Sequence, residues 1–215
     1  MNIGNLGTKE QFVQEVQSDG ATALNPNSLA SIWSTLSLIR QVSVSANQIF
    51  FVPAALSVVT SANGMVPEAE TKFLEELITV AHATSEAAAC SSVLAGRSSE
   101  SDAFGDVGVL LPLIEGEDRI AKVLELLGLH YWLEGGGKMV RHDTTTNMPY
   151  GVSSFASADN LARIAHVFYQ LEDPIEFRVD GGMSERIWVY IGKVKVGDEP
   201  YLAGLIGVGT WSDTT

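Results

Sequence analysis

The chain contains one cysteine and no long apolar run, and each scarcity excludes a class of protein. Cys90 is the only cysteine in 215 residues, which excludes an internal disulfide and a zinc site built from several thiolates. The longest apolar run, near Ile49–Val59, contains Pro53 and is shorter than the ~20 residues that a membrane-spanning helix needs. Met1–Gly7 lacks the basic start and apolar stretch of a secretory signal. These features predict a soluble, cytoplasmic protein with no membrane contact.

Basic residues are also scarce, since 13 Lys and Arg stand against 26 Asp and Glu and give a formal net charge of −13. Nucleic-acid affinity comes mainly from Lys and Arg that displace counterions from phosphates, so direct DNA or RNA binding is not expected. An acidic surface attracts a basic partner and speeds its association. The charge therefore favours another protein as the partner, with a basic protein as one candidate. The alternative is that the acidity serves solubility alone.

Helix patterns dominate the first half of the chain. Thr8 and Gln11 have the spacing of a capping box ahead of a short helix. Leu29–Ile39 carries apolar residues at positions i, i+3, i+4, i+7 and i+10, and Phe73–Ala81 repeats this kind of face, so both predict core-facing helices. Gln48–Val59 is rich in β-branched and aromatic residues but contains a proline, which suits either an edge strand or a kinked segment.

Strand patterns dominate the second half of the chain. Four runs have strand character: Val107–Ile114, Ile175–Asp180, Arg186–Val196 and Tyr201–Trp211. Apolar and charged residues alternate in Ile175–Asp180, which predicts a strand with one solvent-exposed face. Arg186–Val196 is apolar on both faces, which predicts a central strand covered on both sides. His130–Glu134 and Lys138–His142, joined by three glycines, resemble a β-hairpin.

The order of these patterns predicts an α+β protein, with a helix-rich N-terminal half and an antiparallel sheet with packed helices in the C-terminal half. Gly96–Gly105 is small and polar, as a mobile loop or linker would be. It separates a mainly helical segment, residues 1–96, from an α+β domain, residues 106–215. A single domain is the alternative.

The sequence contains no pattern typical of a metal centre or a serine nucleophile. None of the four histidines, His82, His130, His142 and His166, pairs with another at a metal-ligand spacing. No Gly-X-Ser-X-Gly elbow is present. We therefore predict no metal and no cofactor.

His142 and Asp143 are the one pair of residues with catalytic potential. A carboxylate beside an imidazole can orient a general base, and the pair borders a long polar loop. Adjacent residues on a strand point to opposite faces, however, which makes it difficult for both side chains to face one substrate. A hydrolase that uses this loop is therefore an alternative to a non-enzymatic protein.

The C-terminal segment resembles the nuclease A inhibitor family. The resemblance is carried by a helix from Leu161, by Val189-Tyr190-Ile191-Gly192, by Leu202-Ala203-Gly204-Leu205 and by the terminal Thr215. It implies an acidic α+β protein that blocks a nuclease active site, with Thr215 reaching toward the enzyme's metal. The chain departs from the family pattern at Leu205–Gly209, which has the character of an insertion.

The sequence therefore favours a non-enzymatic, acidic protein that binds another protein, with a nuclease inhibitor as its most specific version. Trp211 and Thr215 are the candidate binding residues, because aromatic side chains are enriched at interfaces and the resemblance assigns the terminal threonine to the contact. The alternatives are the hydrolase at His142 and Asp143 and a structural subunit of a homo-oligomeric assembly. The sequence leaves the partner and the oligomeric state open.

Overall fold

The computed structural model describes residues 6–18, 22–40, 49–53, 68–144, 146–181, 184–194 and 200–212. Helices dominate the first half and strands the second, so the predicted α+β class is confirmed. The helices are α1 (Lys9–Ser18), α2 (Pro26–Arg40), α3 (Glu68–Ala87), α4 (Arg119–Leu126), α5 (His130–Glu134), α6 (Val152–Phe155) and α7 (Ala158–Phe168). The strands are β1 (Phe50–Val52), β2 (Val107–Pro112), β3 (Lys138–His142), β4 (Glu172–Asp180), β5 (Glu185–Val194) and β6 (Tyr201–Thr210).

The six strands form one antiparallel sheet in the order β1-β2-β6-β5-β4-β3. Strands β3, β4 and β5 each pair with the next strand along the chain, and β2 and β1 extend the sheet beyond β6. Helix α3 contacts β1, β2, β6 and α7, whereas α5 contacts β3 and β4. None of the helices in the described part of the chain is both long and apolar enough to cross a membrane.

The capping box and the apolar helix faces predicted in the first half are confirmed. The Thr8 amide donates to Gln11 Oε1 at 3.0 Å and the Gln11 amide donates to Thr8 Oγ1 at 3.3 Å, which is the reciprocal bonding of a capping box. The apolar face of α2 is buried in the core at Leu29, Ile32, Leu36 and Ile39. The sequence of Gln48–Val59 fits either an edge strand or a kinked segment. Its described residues place β1 at one end of the sheet, as the edge-strand alternative requires.

The predicted hairpin is wrong in its first half, because His130–Glu134 forms α5 instead of a strand. Gly128 has a φ of 69° and ends α4 in the left-handed conformation, and the chain then turns directly into the short helix. The Trp132 ring lies against Gly181 at the end of β4, where an added Cβ would be 2.3 Å from Trp132 Cε3. Lys138–His142 is the predicted strand, but it pairs with β4.

The prediction of one solvent-exposed face for Ile175–Asp180 is also wrong. Glu176 is fully buried, although it lies on the face that also carries Arg178 and Asp180. Sequence alternation shows which residues share a face, but covering of that face depends on segments distant in the chain. Here the Tyr150 amide, just before α6, donates to Glu176 Oε2 at 2.7 Å.

Residues 96–105 are tied to both halves of the chain. The Glu100 amide donates to the Thr210 carbonyl on β6 at 2.8 Å, and the Gly105 amide donates to the Ser31 carbonyl on α2 at 3.0 Å. One hydrophobic cluster contains core residues from α1 to β6. These contacts favour the single-domain alternative, and the division into residues 1–96 and 106–215 stays a prediction.

Candidate binding groove

The sheet presents a polar, aromatic face at the β3–β4–β5–β6 end. The register opposes Arg178 to Trp188 and Trp188 to Gly207, which places these positions in one row across β4, β5 and β6. Gly207 lets the chain near Ser92 approach β6 closely, because an added Cβ at this position would be 2.6 Å from Ser92 Oγ. In the next row, Arg186 lies between Asp180 and Gly209. A Cβ at Gly209 would be 2.5 Å from the Trp211 ring.

A groove of about 360 Å³ lies on this face, between α6 and the segment at residues 94–97. Its volume is that of a site for a small ligand or one or two side chains. Three guanidinium groups and five aromatic rings line it; they belong to Arg97, Arg178, Arg186, Trp188, Trp211, Tyr150, Phe155 and His142. We call this site the arginine–tryptophan groove.

The two tryptophans and two of the arginines form a stacked group. The Trp188 and Trp211 ring centroids are 5.0 Å apart. The Arg178 guanidinium lies 5.3 Å from the Trp188 ring centroid, and the Arg186 guanidinium lies 4.6 Å from that of Trp211. Each distance is within the range of a cation–π interaction, so the rings hold the charged groups in place at the groove.

Asp180 connects the two stacked arginines. Its carboxylate accepts from Arg178 Nε at 2.7 Å and from Arg178 Nη2 at 3.0 Å, and it lies 3.5 Å from Arg186 Nε. One carboxylate therefore faces two guanidinium groups, and Arg97 adds a third positive charge to the lining. The groove is locally basic within a chain whose formal net charge is −13.

The segment that carries Arg97 is held by a buried carboxylate. Asp106 accepts from Ser92 Oγ at 2.7 Å and from the Val93 amide, and burial raises the pKa of its carboxyl to about 6. The nearby Cys90 thiol has its pKa raised to about 11 by burial and by the charges of Asp106 and Asp102. These groups act as structural supports, because the carboxylate bonds neighbouring main chain and the thiol stays protonated at neutral pH.

Three polar side chains, each with a buried polar atom, occupy adjacent strands beside the groove. Glu176 on β4 is the cross-strand partner of His142 on β3 and of Tyr190 on β5. Cross-strand partners have Cβ atoms about 5 Å apart, so the three side chains form one row. His142 Nε2, Glu176 Oε1 and the Tyr190 hydroxyl are buried, and none has a hydrogen-bond partner within the described residues. We call His142, Glu176 and Tyr190 the buried polar row.

Burial changes the acidity of each member of the row. It raises the pKa of the Glu176 carboxyl to about 7, against an ordinary value of 4.5, while the Tyr150 amide bond acts in the opposite direction. It also raises the pKa of the Tyr190 hydroxyl, with a further contribution from the Glu176 charge. Burial and the nearby Arg178 lower the pKa of His142. The neutral forms of all three groups are favoured.

The structure brings together two residues that the sequence assigned to different functions. His142, the candidate general base, and Trp211, the candidate interface residue, both line the arginine–tryptophan groove. Asp143 is exposed and does not line it, and the carboxyl group opposite His142 is Glu176. Thr215 lies outside the described residues, so its predicted role in binding stays a prediction.

Sequence reasoning missed Arg97, Arg178, Arg186, Trp188 and Glu176. One signal was available in the sequence. Glu176, Arg178 and Asp180 alternate with apolar residues, so they share one face of a strand. The pairing of that face with Arg186 and Trp188 depends on the strand register, and the approach of Arg97 depends on a segment distant in the chain. Neither can be read from local spacing.

The described residues contain no cluster of three or more His, Cys, Asp or Glu side chains that could hold a metal ion. The row has one imidazole and one carboxyl, which is fewer donors than a stable metal site uses. The groove instead offers hydrogen-bond donors and aromatic faces, which suit an anionic ligand.

Comparison of the chain with protein-family models, with curated proteins and with solved structures finds no match. The resemblance of the C-terminal segment to the nuclease A inhibitor family therefore stays a prediction.

Proposed function

We propose that the chain is a non-enzymatic binding protein that takes up an acidic segment of another protein in the arginine–tryptophan groove. One observation carries the proposal: three of the 13 basic residues of an acidic chain line the same concave site, together with two tryptophans. Such a concentration of positive charge against the net charge favours a carboxylate-bearing ligand.

The composition of the groove supports a protein as the ligand's source. Tryptophan, tyrosine and arginine are the residues most enriched at the energetic centres of protein interfaces. Trp188 is only 5% exposed, whereas Tyr150 is 64% exposed. A buried aromatic floor with a solvent-accessible rim is the arrangement that excludes water around a docked side chain.

Asp180 indicates how the incoming carboxylate would be recognised. It occupies Nε and Nη2 of Arg178, and an arginine carries five N–H donors in a planar fork, so donors remain for a second carboxylate. The stacked tryptophans keep the guanidinium planes in position, which reduces the entropy that binding would cost.

The groove and the net charge of the chain favour partners of opposite charge. A net charge of −13 favours a basic partner, and the groove favours an acidic segment. A partner with a basic surface and one acidic segment would match both the net charge of the chain and the charge of the groove. The nuclease-inhibitor version is a narrower proposal, and it is tested by removing residues 213–215: unchanged inhibition of a nuclease by the shortened chain would exclude a role for Thr215.

Isothermal titration calorimetry with a short synthetic peptide of glutamate and phenylalanine tests the proposed function. Arg97→Gln and Arg186→Gln should each weaken binding roughly tenfold, because each removes a charge-assisted hydrogen bond donor from the groove. Arg163→Gln is the matched control, since Arg163 is exposed on α7 and does not line the groove. Equal losses in all three variants would show that only net charge matters and would contradict the groove as the site.

A hydrolase at His142 is a second candidate, with Glu176 in place of the predicted Asp143, because Glu176 has a pKa raised to about 7 and lies opposite His142. A general base is most effective when its pKa is near the working pH. The test is hydrolysis of a model ester: this alternative requires a rate above background that Glu176→Gln abolishes. A homo-oligomeric subunit and a cytoplasmic location also remain proposals.

A further inference from the structure

The buried polar row is unusual because it places three buried polar atoms without a hydrogen-bond partner among the described residues on three adjacent strands, from the edge strand β3 inward to β5. A buried polar atom without a partner costs about 1–3 kcal/mol, so native proteins retain few of them without a functional reason. Glu176 and Tyr190 have no exposed surface, and His142 is half-buried and lines the groove. The row therefore runs from the groove into the core.

We propose that the arginine–tryptophan groove binds its acidic segment together with one proton, which the Glu176 carboxylate takes up from solvent. This inference rests on the proposed function and adds a mechanism of regulation to it. Binding becomes weaker as the pH rises, because an ionised Glu176 carboxylate repels the negative charge of the acidic segment.

The geometry couples Glu176 to the groove through both of its neighbours. His142, its cross-strand partner, lines the groove, and so does Arg178, two residues along the same face of β4. On the covering side, the Tyr150 amide donates to Glu176 Oε2, and the Tyr150 ring stacks on His142 with centroids 4.7 Å apart. A negative ligand in the groove is thus separated from Glu176 by a single layer of side chains.

The remaining titratable groups near Glu176 do not compensate a negative charge there. Tyr190 on β5 faces it, and Tyr169, just beyond α7, contributes to the raised pKa of the Tyr190 hydroxyl. Arg178 is the nearest cation on β4, and its charge is shared with Asp180. His142 is favoured in its neutral form.

The direction of the coupling follows from Coulomb's law. Two negative charges about 10 Å apart at an effective dielectric constant of about 20 repel enough to raise one pKa by roughly one unit. A carboxylate bound in the groove raises the pKa of Glu176 above its value of about 7 in the unbound protein. Glu176 is then protonated on binding, and the balance is one proton from solvent per bound segment at most.

Calorimetric titration with an acetylated glutamate–phenylalanine peptide at constant ionic strength tests the inference. The affinity of the unmodified chain should fall about fivefold between about pH 6 and about pH 8. Glu176→Gln should hold the affinity at the low-pH value throughout, because the amide imitates the protonated acid. Titrations in two buffers with different protonation enthalpies should show proton uptake with Glu176 and none with the glutamine.

His142→Asn and Glu125→Gln serve as controls. The first should keep most of the pH dependence, because the asparagine removes the imidazole but leaves the Glu176 carboxyl in place. Glu125 is exposed on α4 and does not line the groove, so its substitution should change nothing. Full pH dependence in Glu176→Gln, or none in the unmodified chain, would overturn the inference while leaving the proposed function intact. Absence of peptide binding at every pH would overturn both.

Discussion

Glu176 shows how a single residue can give the fold a dependence on pH. Its carboxyl is fully buried on β4 and its pKa is raised to about 7 from 4.5. A folded-state pKa above the unfolded value means that the folded protein binds the proton more tightly. The associated stability is fully present below about pH 4.5 and is lost as the pH rises through about 7.

Glu176→Gln should therefore be more stable than the unmodified chain at pH 8, and the difference should disappear near pH 4. The pKa difference corresponds to about 3 kcal/mol at most. Urea denaturation at a series of pH values measures it. Asp106 has a pKa raised in the same direction and His82 has a pKa lowered by burial, but both are common to the two proteins and cancel in the comparison.

Glu125→Gln is the control for this prediction, since Glu125 is exposed. Its free energy of unfolding should equal that of the unmodified chain at every pH. A Glu176→Gln variant that loses stability at pH 8 would show that the buried carboxylate is stabilised in its charged form, contrary to this account.

At the scale of elements, the sequence predicts what depends on local bonding and misses what depends on distant contacts. Helix α7 begins after Ser157, whose hydroxyl accepts from the Asn160 amide at 3.4 Å, and this cap lies in the local sequence. Helix α5 has no comparable local signal. Its residues are also compatible with a strand, and the contact that favours the helix is the packing of Trp132 against Gly181, just after β4.

Gly181→Ala should test this contact. An added Cβ would be 2.3 Å from the Trp132 ring, so α5 must shift from the sheet, at a cost of about 1–3 kcal/mol in unfolding free energy. Gly135→Ala is the matched control, because a Cβ there meets its nearest atom at 3.6 Å. Chemical denaturation of both variants measures the difference.

Combining Gly181→Ala with Trp132→Ala separates the clash from a backbone effect. The cost of the alanine at 181 should largely vanish when the ring is absent, which is the behaviour of directly coupled positions. An unchanged cost in the double variant would assign the destabilisation to the glycine backbone instead.

The same distinction explains which part of the candidate site was predictable. His142 and Trp211 could be selected from the sequence because of their residue types and their positions beside predicted strands. The arginines could not, because a surface arginine in an acidic chain is ordinary until register brings Arg186 opposite Asp180 and next to Arg178. Burial of Glu176 likewise depends on the distant Tyr150 segment.

At the scale of the whole molecule, the described elements share one hydrophobic cluster, and residues 96–105 bond to both α2 and β6. Limited proteolysis under native conditions should therefore leave this segment uncut, because its main chain is engaged by Thr210 and Ser31. Rapid cleavage there into two stable fragments would instead support separate domains at residues 1–96 and 106–215.

The proposed function depends on the sign of charge that the arginine–tryptophan groove prefers. Phenylalanine in place of Trp33 and Trp132, which do not line the groove, leaves Trp188 and Trp211 as the fluorescent reporters. This variant should be titrated with the glutamate–phenylalanine peptide and with the same peptide carrying lysine in place of glutamate. We predict a saturable change in fluorescence with the glutamate peptide alone, weakened by added salt. An equal response to the lysine peptide, or no response to either, would show that the groove does not select an acidic segment.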